Sequence, residues 1–322
     1  MKYGQIEGVN KPVSRIVQGT TIISSSDLDG SFKLLDDVFE LGVNTFDTAQ
    51  SYGRGDNERT VGRWINERGV RDQVVIISKG AHLSQDRNRV TPFDIEADIH
   101  DSLARFKTDF LDIYLLHRDD PTVPVGPIVE KLNEYHEKGV IGIYGGSNWT
   151  VERIKEANAY AEAHGLKPFL ASSPNFSLAD QIKEPWKDCI SISGPGKAAE
   201  RAWYQANQMP LFTWSSMAGG FFSGRFRRDN LDTFTDYNDR VVVEAYCYEP
   251  NFQRLDRAEQ LAAEKGVTVA QIAVAYIFNQ PLNIYALIAS RSAEELRQNI
   301  TALDLKLTEA EMDWLDLRSD TR

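Results

Sequence analysis

Short β-branched segments alternate with amphipathic helical segments along this chain, and this alternation limits the possible folds more than any other feature. Eight segments favour strands: 15–19, 44–47, 74–78, 110–116, 141–145, 169–171, 211–214 and 284–288. Helical patterns lie between or after them at 31–41, 92–106, 127–138, 151–164, 197–208, 269–279 and 294–302. Strands that alternate with helices predict an α/β fold, here a (β/α)8 TIM barrel.

The domain organisation is expected to be simple. No Gly/Ser-rich linker interrupts the 322 residues, so we expect a single domain over 1–322. Residues 224–252 are the least regular segment, which is typical of a lid or a binding loop. Thr308 and Glu311 have the spacing of a capping box, which predicts a final helix at 308–317.

Composition excludes several classes of function. A net charge of −11 argues against nucleic-acid binding, which needs clustered Lys and Arg. The two cysteines, Cys189 and Cys247, lack CxxC spacing, so no disulfide framework or metal site is expected. The N-terminal residues show no apolar signal core, and no stretch approaches a membrane span. We therefore expect a cytoplasmic protein with small-molecule partners and no nucleic acid or membrane partner. The sequence leaves the oligomeric state open.

Four polar residues of four types lie near the carboxyl ends of consecutive predicted strands. Asp47, Lys79 and His117 end or follow three strands, and Tyr52 follows Asp47 closely. Singly, each has an ordinary explanation: a turn or cap residue, an exposed lysine, or a hydrogen-bonded histidine under a loop. Together on one rim of a barrel they predict a proton-transfer site, because a lysine and a carboxylate can tune a tyrosine hydroxyl as a general acid.

Residues 42–53, with Asn57-Glu58 opening the next helix, give this chain its resemblance to the aldo-keto reductases. The resemblance covers nearly the whole chain. It implies that Tyr52 is the general acid in carbonyl reduction, that Lys79 and Asp47 tune it, and that His117 positions the carbonyl. It also implies an NADPH (NADP+) cofactor bound without the GxGxxG fingerprint, which is absent after the first strand.

The resemblance assigns cofactor contacts to the strand ends. Ser147 and Asn148 match the Ser-Asn pair that binds the nicotinamide carboxamide, and Ser173 stands where the family has Gln. The Asn can equally cap the helix that follows it. Gly19, Thr20 and Asp47 at the first two strand ends complete this part of the set.

Two later stretches complete the expected cofactor site. The loop after the seventh strand aligns with the family's aromatic-Ser-Pro-Leu loop, with Trp214 stacking on nicotinamide. Its members are Trp214, Ser215, Ser216, Met217, Ala218 and Gly220. Arg225 matches a position where a basic residue reaches cofactor phosphate, although such an arginine is often exposed to solvent.

The last stretch corresponds to the region that grips the adenosine 2′-phosphate and the adenine. Its expected members are Ala289, Arg291, Ser292, Glu295, Gln298 and Asn299. A cation, a hydroxyl and a helix N-terminus favour NADPH over NADH. Alternatively, Arg291 pairs with Glu294 or Glu295. The family's Pro-Gly is Ile288-Ala289 here, and its Glu is Gln298.

Substrate contacts are expected from the loops after the strands, and the sequence leaves the substrate open between sugar-derived and aromatic carbonyls. The candidates are Ile22, Ile23, Ala81, His82, Trp149, Trp186, Phe234 and Tyr237. The charged run Arg118-Asp119-Asp120 is interpreted as a solvated loop.

Two other functions compete with the reductase. One is an NADPH-binding regulatory role like that of the similar potassium channel β subunits, which have Asn at the position of His117. The other is a lyase that uses Lys79 as a Schiff-base amine.

Overall fold

A computed structural model describes residues 1–322. Strands β1 (Tyr3–Gly4) and β2 (Val13–Ser14) pair as an antiparallel hairpin. Eight parallel strands then close into a barrel in chain order, and the last pairs with the first. They are β3 (Ile16–Gly19), β4 (Thr45–Asp47), β5 (Val75–Gly80), β6 (Leu111–Leu116), β7 (Ile141–Ser147), β8 (Ala171–Ser173), β9 (Leu211–Thr213) and β10 (Ile284–Ile288). The TIM barrel prediction is confirmed, and β8 begins two residues later than predicted.

Eleven α-helices surround the barrel or follow its strands. They are α1 (Leu28–Glu40), α2 (Asp56–Arg68), α3 (Pro92–Phe106), α4 (Val125–Glu137), α5 (Val151–Ala163), α6 (Ala198–Asn207), α7 (Tyr237–Tyr246), α8 (Glu249–Lys265), α9 (Val269–Phe278), α10 (Ala293–Ala302) and α11 (Glu309–Leu315). Thr91 caps α3, and Thr308 with Glu311 forms a capping box at α11. Both caps agree with the sequence signals.

The segment 224–252, predicted to be irregular, contains α7 and the start of α8. Asp236 caps α7 by accepting a hydrogen bond from the Asn238 N–H. Val242, Ala245 and Tyr246 are buried on one face of α7. The prediction of an irregular loop was therefore wrong for this part, because a short helix with three inward residues leaves only a weak periodic pattern.

The core has two layers, and their division decides where the site lies. A large cluster fills the space between the sheet and the helices, whereas 13 buried residues occupy the barrel interior. The interior cluster includes Ile6, Val9 and Val13 of the N-terminal hairpin region. This end of the barrel is therefore closed by apolar side chains, and the open rim is at the carboxyl ends of the strands.

No single helix is long and apolar enough to span a membrane; α8 and α9 meet those criteria only together, across a 99° bend.

Candidate active site

Three strand ends bring the four predicted residues to one rim of the barrel. Asp47 ends β4, Lys79 is the penultimate residue of β5, and His117 directly follows β6. Tyr52 begins a short 3-10 turn after β4, in which Gly53 and Arg54 both have positive φ angles. This tight reversal returns the tyrosine ring over the end of the neighbouring strand.

The Lys79 ammonium is the centre of the cluster. It donates to Asp47 Oδ2 at 2.8 Å, to the Thr48 carbonyl at 2.8 Å and to the Tyr52 hydroxyl at 3.3 Å, and it lies 2.7 Å from Asp47 Oδ1. An ammonium has three N–H groups, and these three partners use all of them. Because Lys79 donates to the phenol oxygen, the Tyr52 O–H is free to donate elsewhere.

Burial and the neighbouring charges shift the pKa values of these groups in opposite directions. Burial alone would lower the pKa of Lys79, but the Asp47 carboxylate and Tyr52 raise it above its ordinary value. Burial raises the pKa of Asp47, and Lys79 counteracts this rise. Burial also raises the pKa of Tyr52, against the lowering effect of Lys79. The expected tuning of the phenol by Lys79 is therefore present, but desolvation outweighs it.

His117 is a neutral imidazole beside Tyr52. Their ring centroids are 5.6 Å apart in an edge-to-face arrangement. Burial, together with the Lys79 and Arg118 charges, holds the pKa of His117 well below its usual range. Nδ1 is buried without a hydrogen-bond partner. The ring is therefore best protonated at Nε2, which can donate to a ligand oxygen.

Asn148 connects the histidine to the tryptophan of the predicted nicotinamide site. Its side-chain amide donates to the His117 carbonyl at 3.2 Å and to Ser147 Oγ at 3.3 Å. Its oxygen accepts from Trp214 Nε1 at 3.1 Å. The amide predicted to bind the cofactor carboxamide thus already has protein partners, and it fixes the half-buried Trp214 indole at the rim.

Ser173 differs from its neighbours because its hydroxyl is free. Ser147 Oγ donates to the Ser173 carbonyl at 3.0 Å, whereas Ser173 Oγ is buried without a partner. A buried hydroxyl without a partner in the protein is unusual, so this hydroxyl is available to a ligand or to water. Thr20 donates from its hydroxyl to the Asp47 carbonyl at 2.9 Å, and Gly19 is in register with Asp47. These two residues therefore support the position of Asp47.

The loop after β9 turns sharply beneath Trp214. Ser215 and Ala218 have positive φ angles, as does Gly220, and Ser216 donates to the Thr213 carbonyl at 2.7 Å. Met217 is half-buried against the core. The structure therefore brings this stretch to the rim. Arg225 lies beyond it and forms an ion pair with Asp239 at 2.6 Å.

The start of α10 presents an unpaired cation. The exposed Arg291 guanidinium has no carboxylate partner, so the alternative pairing with Glu294 or Glu295 is wrong for its side chain. Glu295 instead accepts from the Arg291 backbone N–H at 2.9 Å. Ser292 caps α10, and the buried Asn299 donates to Ser290 Oγ at 3.2 Å.

The remaining members of this region have local roles. Gln298 is exposed and donates to Glu294 at 3.3 Å, and Ala289 would contact a Cβ added at Gly19 at 3.4 Å. These contacts place Ala289, but not Gln298, against the strand end at which the predicted site begins.

Two sequence interpretations near the rim are wrong. The Arg118 and Asp119 side chains are buried rather than solvated: Asp119 pairs with Arg153 at 3.0 Å, and Arg118 donates to the Lys187 and His117 carbonyls. Trp149, a candidate substrate contact, is completely buried and donates to the Arg118 carbonyl. Both errors arise because a strand-to-helix loop in a barrel can fold inward, which its polar composition does not reveal.

The other candidate substrate contacts differ in exposure. Trp186 is partly exposed and its ring centroid lies 6.0 Å from that of Trp214, and the half-buried His82 lies 4.8 Å from His117. Ile23 and Ala81 are buried. Trp186 and His82 are therefore the candidates that the structure brings beside the cluster and the Trp214 ring.

The sequence profile of the aldo/keto reductase family matches residues 15–317. The chain belongs to the aldo/keto reductase family. A Saccharomyces cerevisiae protein named as an aryl-alcohol dehydrogenase is 28% identical, with 91% of this chain and 78% of that protein covered. An Oryza sativa protein named as a voltage-gated potassium channel subunit beta is 25% identical, with 95% of this chain and 92% of that protein covered. Membership of this family makes the chain an oxidoreductase of the aldo/keto reductase kind.

Solved structures of the family share the fold. The thermostable aldo-keto reductase Tm1743, in complex with the inhibitor epalrestat, superimposes with a TM-score of 0.75 at 22% identity, covering 99% of this chain and 100% of that one. An aldo/keto reductase from Klebsiella pneumoniae in complex with NADP and acetate gives a TM-score of 0.71 at 25% identity, covering 98% and 95%. No group of three or more His, Cys, Asp or Glu side chains is arranged to hold a metal.

Proposed function

We propose that this aldo/keto reductase uses NADPH to reduce an aldehyde or a ketone to an alcohol, with Tyr52 as the proton donor. The observation that carries the proposal is the Lys79 ammonium, which donates to Asp47, to the Thr48 carbonyl and to the Tyr52 hydroxyl. Since the hydrogen bond from Lys79 occupies a lone pair of the Tyr52 phenol oxygen, the Tyr52 proton is available to a substrate oxygen at the rim.

The residues at the rim fit a nicotinamide dinucleotide. The Ser173 hydroxyl is buried without a partner, the Trp214 ring is half-exposed and fixed by Asn148, and Arg291 is an unpaired cation. We assign the carboxamide to Ser173, the nicotinamide face to Trp214 and the 2′-phosphate to Arg291 and Ser292. Bound NADPH supplies the hydride for the carbonyl carbon.

The protein's own groups then act on the carbonyl oxygen. His117 donates from Nε2 and orients the oxygen, which polarises the carbonyl. Tyr52 transfers its proton to the alkoxide as charge develops there, and the phenolate left behind is stabilised by the Lys79 ammonium. Asp47 keeps that ammonium charged and in place. The buried surroundings strengthen each of these interactions.

The lyase alternative fits this site poorly. A Schiff-base lysine must be a neutral amine, whereas Asp47 and Tyr52 raise the pKa of Lys79 and all three of its N–H groups are engaged. The regulatory alternative is weakened by the intact His117, whose ring lies beside Tyr52. Trp186 and Trp214 favour a substrate with a flat apolar face, either aromatic or sugar-derived.

The test is a titration of the protein's tryptophan fluorescence with NADPH and with NADH, followed by measurement of carbonyl-dependent NADPH oxidation. We expect NADPH to quench strongly, NADH to bind more weakly, and aromatic aldehydes to be reduced. If neither dinucleotide bound, the cofactor assignment and the reductase proposal would both fail.

A further inference from the structure

A buried arginine lies directly beside the catalytic histidine and has no acidic partner. Arg118 is 5% exposed. Its Nε donates to the Lys187 carbonyl at 3.0 Å and its Nη1 donates to the His117 carbonyl at 2.8 Å. The next residue, Asp119, is already paired with Arg153 at 3.0 Å. The guanidinium is therefore held by backbone oxygens, and no carboxylate pairs with it.

Part of this guanidinium remains open to a ligand. Nη2 has no hydrogen-bond partner in the protein, and it is not among the polar atoms that are fully enclosed without one. It therefore borders space that a ligand or solvent can reach. Backbone oxygens fix Nε and Nη1, and the free Nη2 between them is a donor with a defined direction.

The surrounding charges do not neutralise Arg118. Lys79 and Asp47 form an ion pair and cancel each other. Burial lowers the pKa values of both His82 and His117, so both rings are neutral near pH 7. Arg118 follows His117 directly and donates to its carbonyl, and its other partner, Lys187, is the neighbour in sequence of Trp186, whose ring lies 6.0 Å from that of Trp214 at the rim. Arg118 is therefore a cation that no ion pair within the protein neutralises, and a ligand can balance its charge.

We propose that Arg118 binds a carboxylate on the carbonyl substrate, so that the natural substrates are aldehydes or ketones that carry a carboxylate. This inference rests on the proposed reductase function. Tyr52 and His117 bind the reacting carbonyl oxygen. The free Nη2 of Arg118 binds the carboxylate, at a different position on the substrate. The guanidinium thus selects the substrate and takes no part in the proton transfer.

The test compares the three formylbenzoates, each with its methyl ester, as substrates. The ester group withdraws more electron density, so chemistry alone favours the ester, and a preference for the acid reports binding. We expect a higher kcat/KM for at least one acid than for its ester. Arg118→Met should lower that acid-to-ester ratio roughly tenfold or more, as expected for a charge-assisted hydrogen bond. Arg118→Lys should give an intermediate ratio, because it keeps the charge and loses the fixed planar geometry of the guanidinium.

Arg63→Met is the matched control, because Arg63 is an exposed arginine on α2 and its loss should leave the ratio unchanged. The inference is overturned if the wild-type protein prefers every ester, or if Arg118→Met leaves the ratio at its wild-type value. Should Arg118→Met fail to fold, the inference is tested by comparing the acid-to-ester ratio of Arg118→Lys with that of the wild type. Equal ratios in these two proteins would overturn it.

A binding measurement separates this inference from the reductase proposal. The hydroxymethylbenzoates and their methyl esters are titrated against the tryptophan fluorescence of the protein without cofactor. Tighter binding of an acid, lost in Arg118→Met, would support the carboxylate site even if no aldehyde were reduced. Equal binding of acids and esters would overturn it even if every aldehyde were reduced.

Discussion

The proposed catalytic cluster and the start of α10 are expected to contact the same cofactor, yet they are built in opposite ways. Asp47, Lys79 and His117 are 3%, 2% and 7% exposed, and the first two neutralise each other within the protein. Arg291 and Ser292 are exposed, and the Arg291 guanidinium has no carboxylate partner. In the cluster the charges are paired within the protein before a ligand binds. At the start of α10 the Arg291 cation is left unpaired and can bind an anionic group of a ligand.

The difference follows from what each region must do. Proton transfer needs groups that are already oriented in a desolvated place, because reorientation during the reaction raises the barrier. Phosphate binding needs only a cation and hydrogen-bond donors that the anion can reach, and an exposed arginine can be ordered when the ligand binds. Substitutions should therefore affect catalysis and stability in the cluster, but only affinity at α10.

Tyr52→Phe should show the largest effect. Without the hydroxyl no group remains to protonate the alkoxide, so kcat should fall by about 10²- to 10⁴-fold. NADPH affinity, measured by fluorescence titration, should stay within a few-fold of the wild type. Tyr3→Phe, at an exposed tyrosine of β1 at the closed end of the barrel, is the control. A Tyr52→Phe protein with wild-type turnover would remove Tyr52 as the acid.

Asp47→Asn should destabilise the fold, since it leaves the Lys79 ammonium buried without a counter-charge. The free energy of unfolding, measured with urea, should fall by about 3–5 kcal/mol. Asp304→Asn removes a carboxylate from an exposed pair with Lys2 and should cost less than about 1 kcal/mol. Equal losses in the two variants would show that the buried Lys79 ammonium does not depend on Asp47 as its counter-charge.

The sequence predicted the barrel because eight strand segments and the caps at Thr91 and Thr308 leave local signals that a single chain carries. It also placed Asp47, Lys79 and His117 at one rim, since the ends of parallel strands must meet there. Helix α7 was missed because only three of its residues face inward.

The fate of individual side chains at the rim could not be predicted. The Asn148 side chain accepts a hydrogen bond from Trp214, although the sequence assigned it to the cofactor. The Ser173 hydroxyl is the one that has no partner in the protein. Arg118 is buried although it lies in a run of charges. These outcomes depend on which loop folds over which strand end, and that information lies in contacts between residues far apart in the chain.

Arg291→Ala should weaken NADPH binding roughly 10- to 100-fold, the range for a hydrogen bond to a charged group, and should weaken NADH much less. The physical reason is that only NADPH has the 2′-phosphate that we assign to this cation. Arg297→Ala, at another exposed arginine of α10, is the control and should affect the two dinucleotides alike. Parallel losses for both dinucleotides in Arg291→Ala would show that this residue does not contact the 2′-phosphate.

His117→Asn should change how stability depends on pH. The folded-state pKa of His117 is well below 6.5, so below pH 6.5 the unfolded chain binds a proton that the folded protein does not. The wild type therefore loses stability as the pH falls below 6.5, by up to about 1.4 kcal/mol per pH unit, and the variant lacks this loss. Urea unfolding at pH 7.5 and 5.5 measures the difference, with His164→Asn at an exposed site as the control. Identical pH dependence in wild type and His117→Asn would contradict a buried neutral imidazole.

Arg225→Ala should have the smallest effect, and it sharpens the contrast with Arg291. Both arginines are exposed candidates for cofactor phosphate, but Arg225 is paired with Asp239 at 2.6 Å and lies over the Phe234 ring. We expect NADPH affinity to change by less than about threefold, because the pair must be broken before the guanidinium can bind phosphate. Asp239→Asn releases Arg225 and should tighten NADPH binding, whereas it should leave Arg291-dependent selectivity between NADPH and NADH unaltered. Suppose that Arg225→Ala weakened NADPH binding as much as Arg291→Ala does. The ion pair with Asp239 would then not prevent Arg225 from binding the cofactor. Arg225 would instead leave Asp239 and bind a phosphate when NADPH binds.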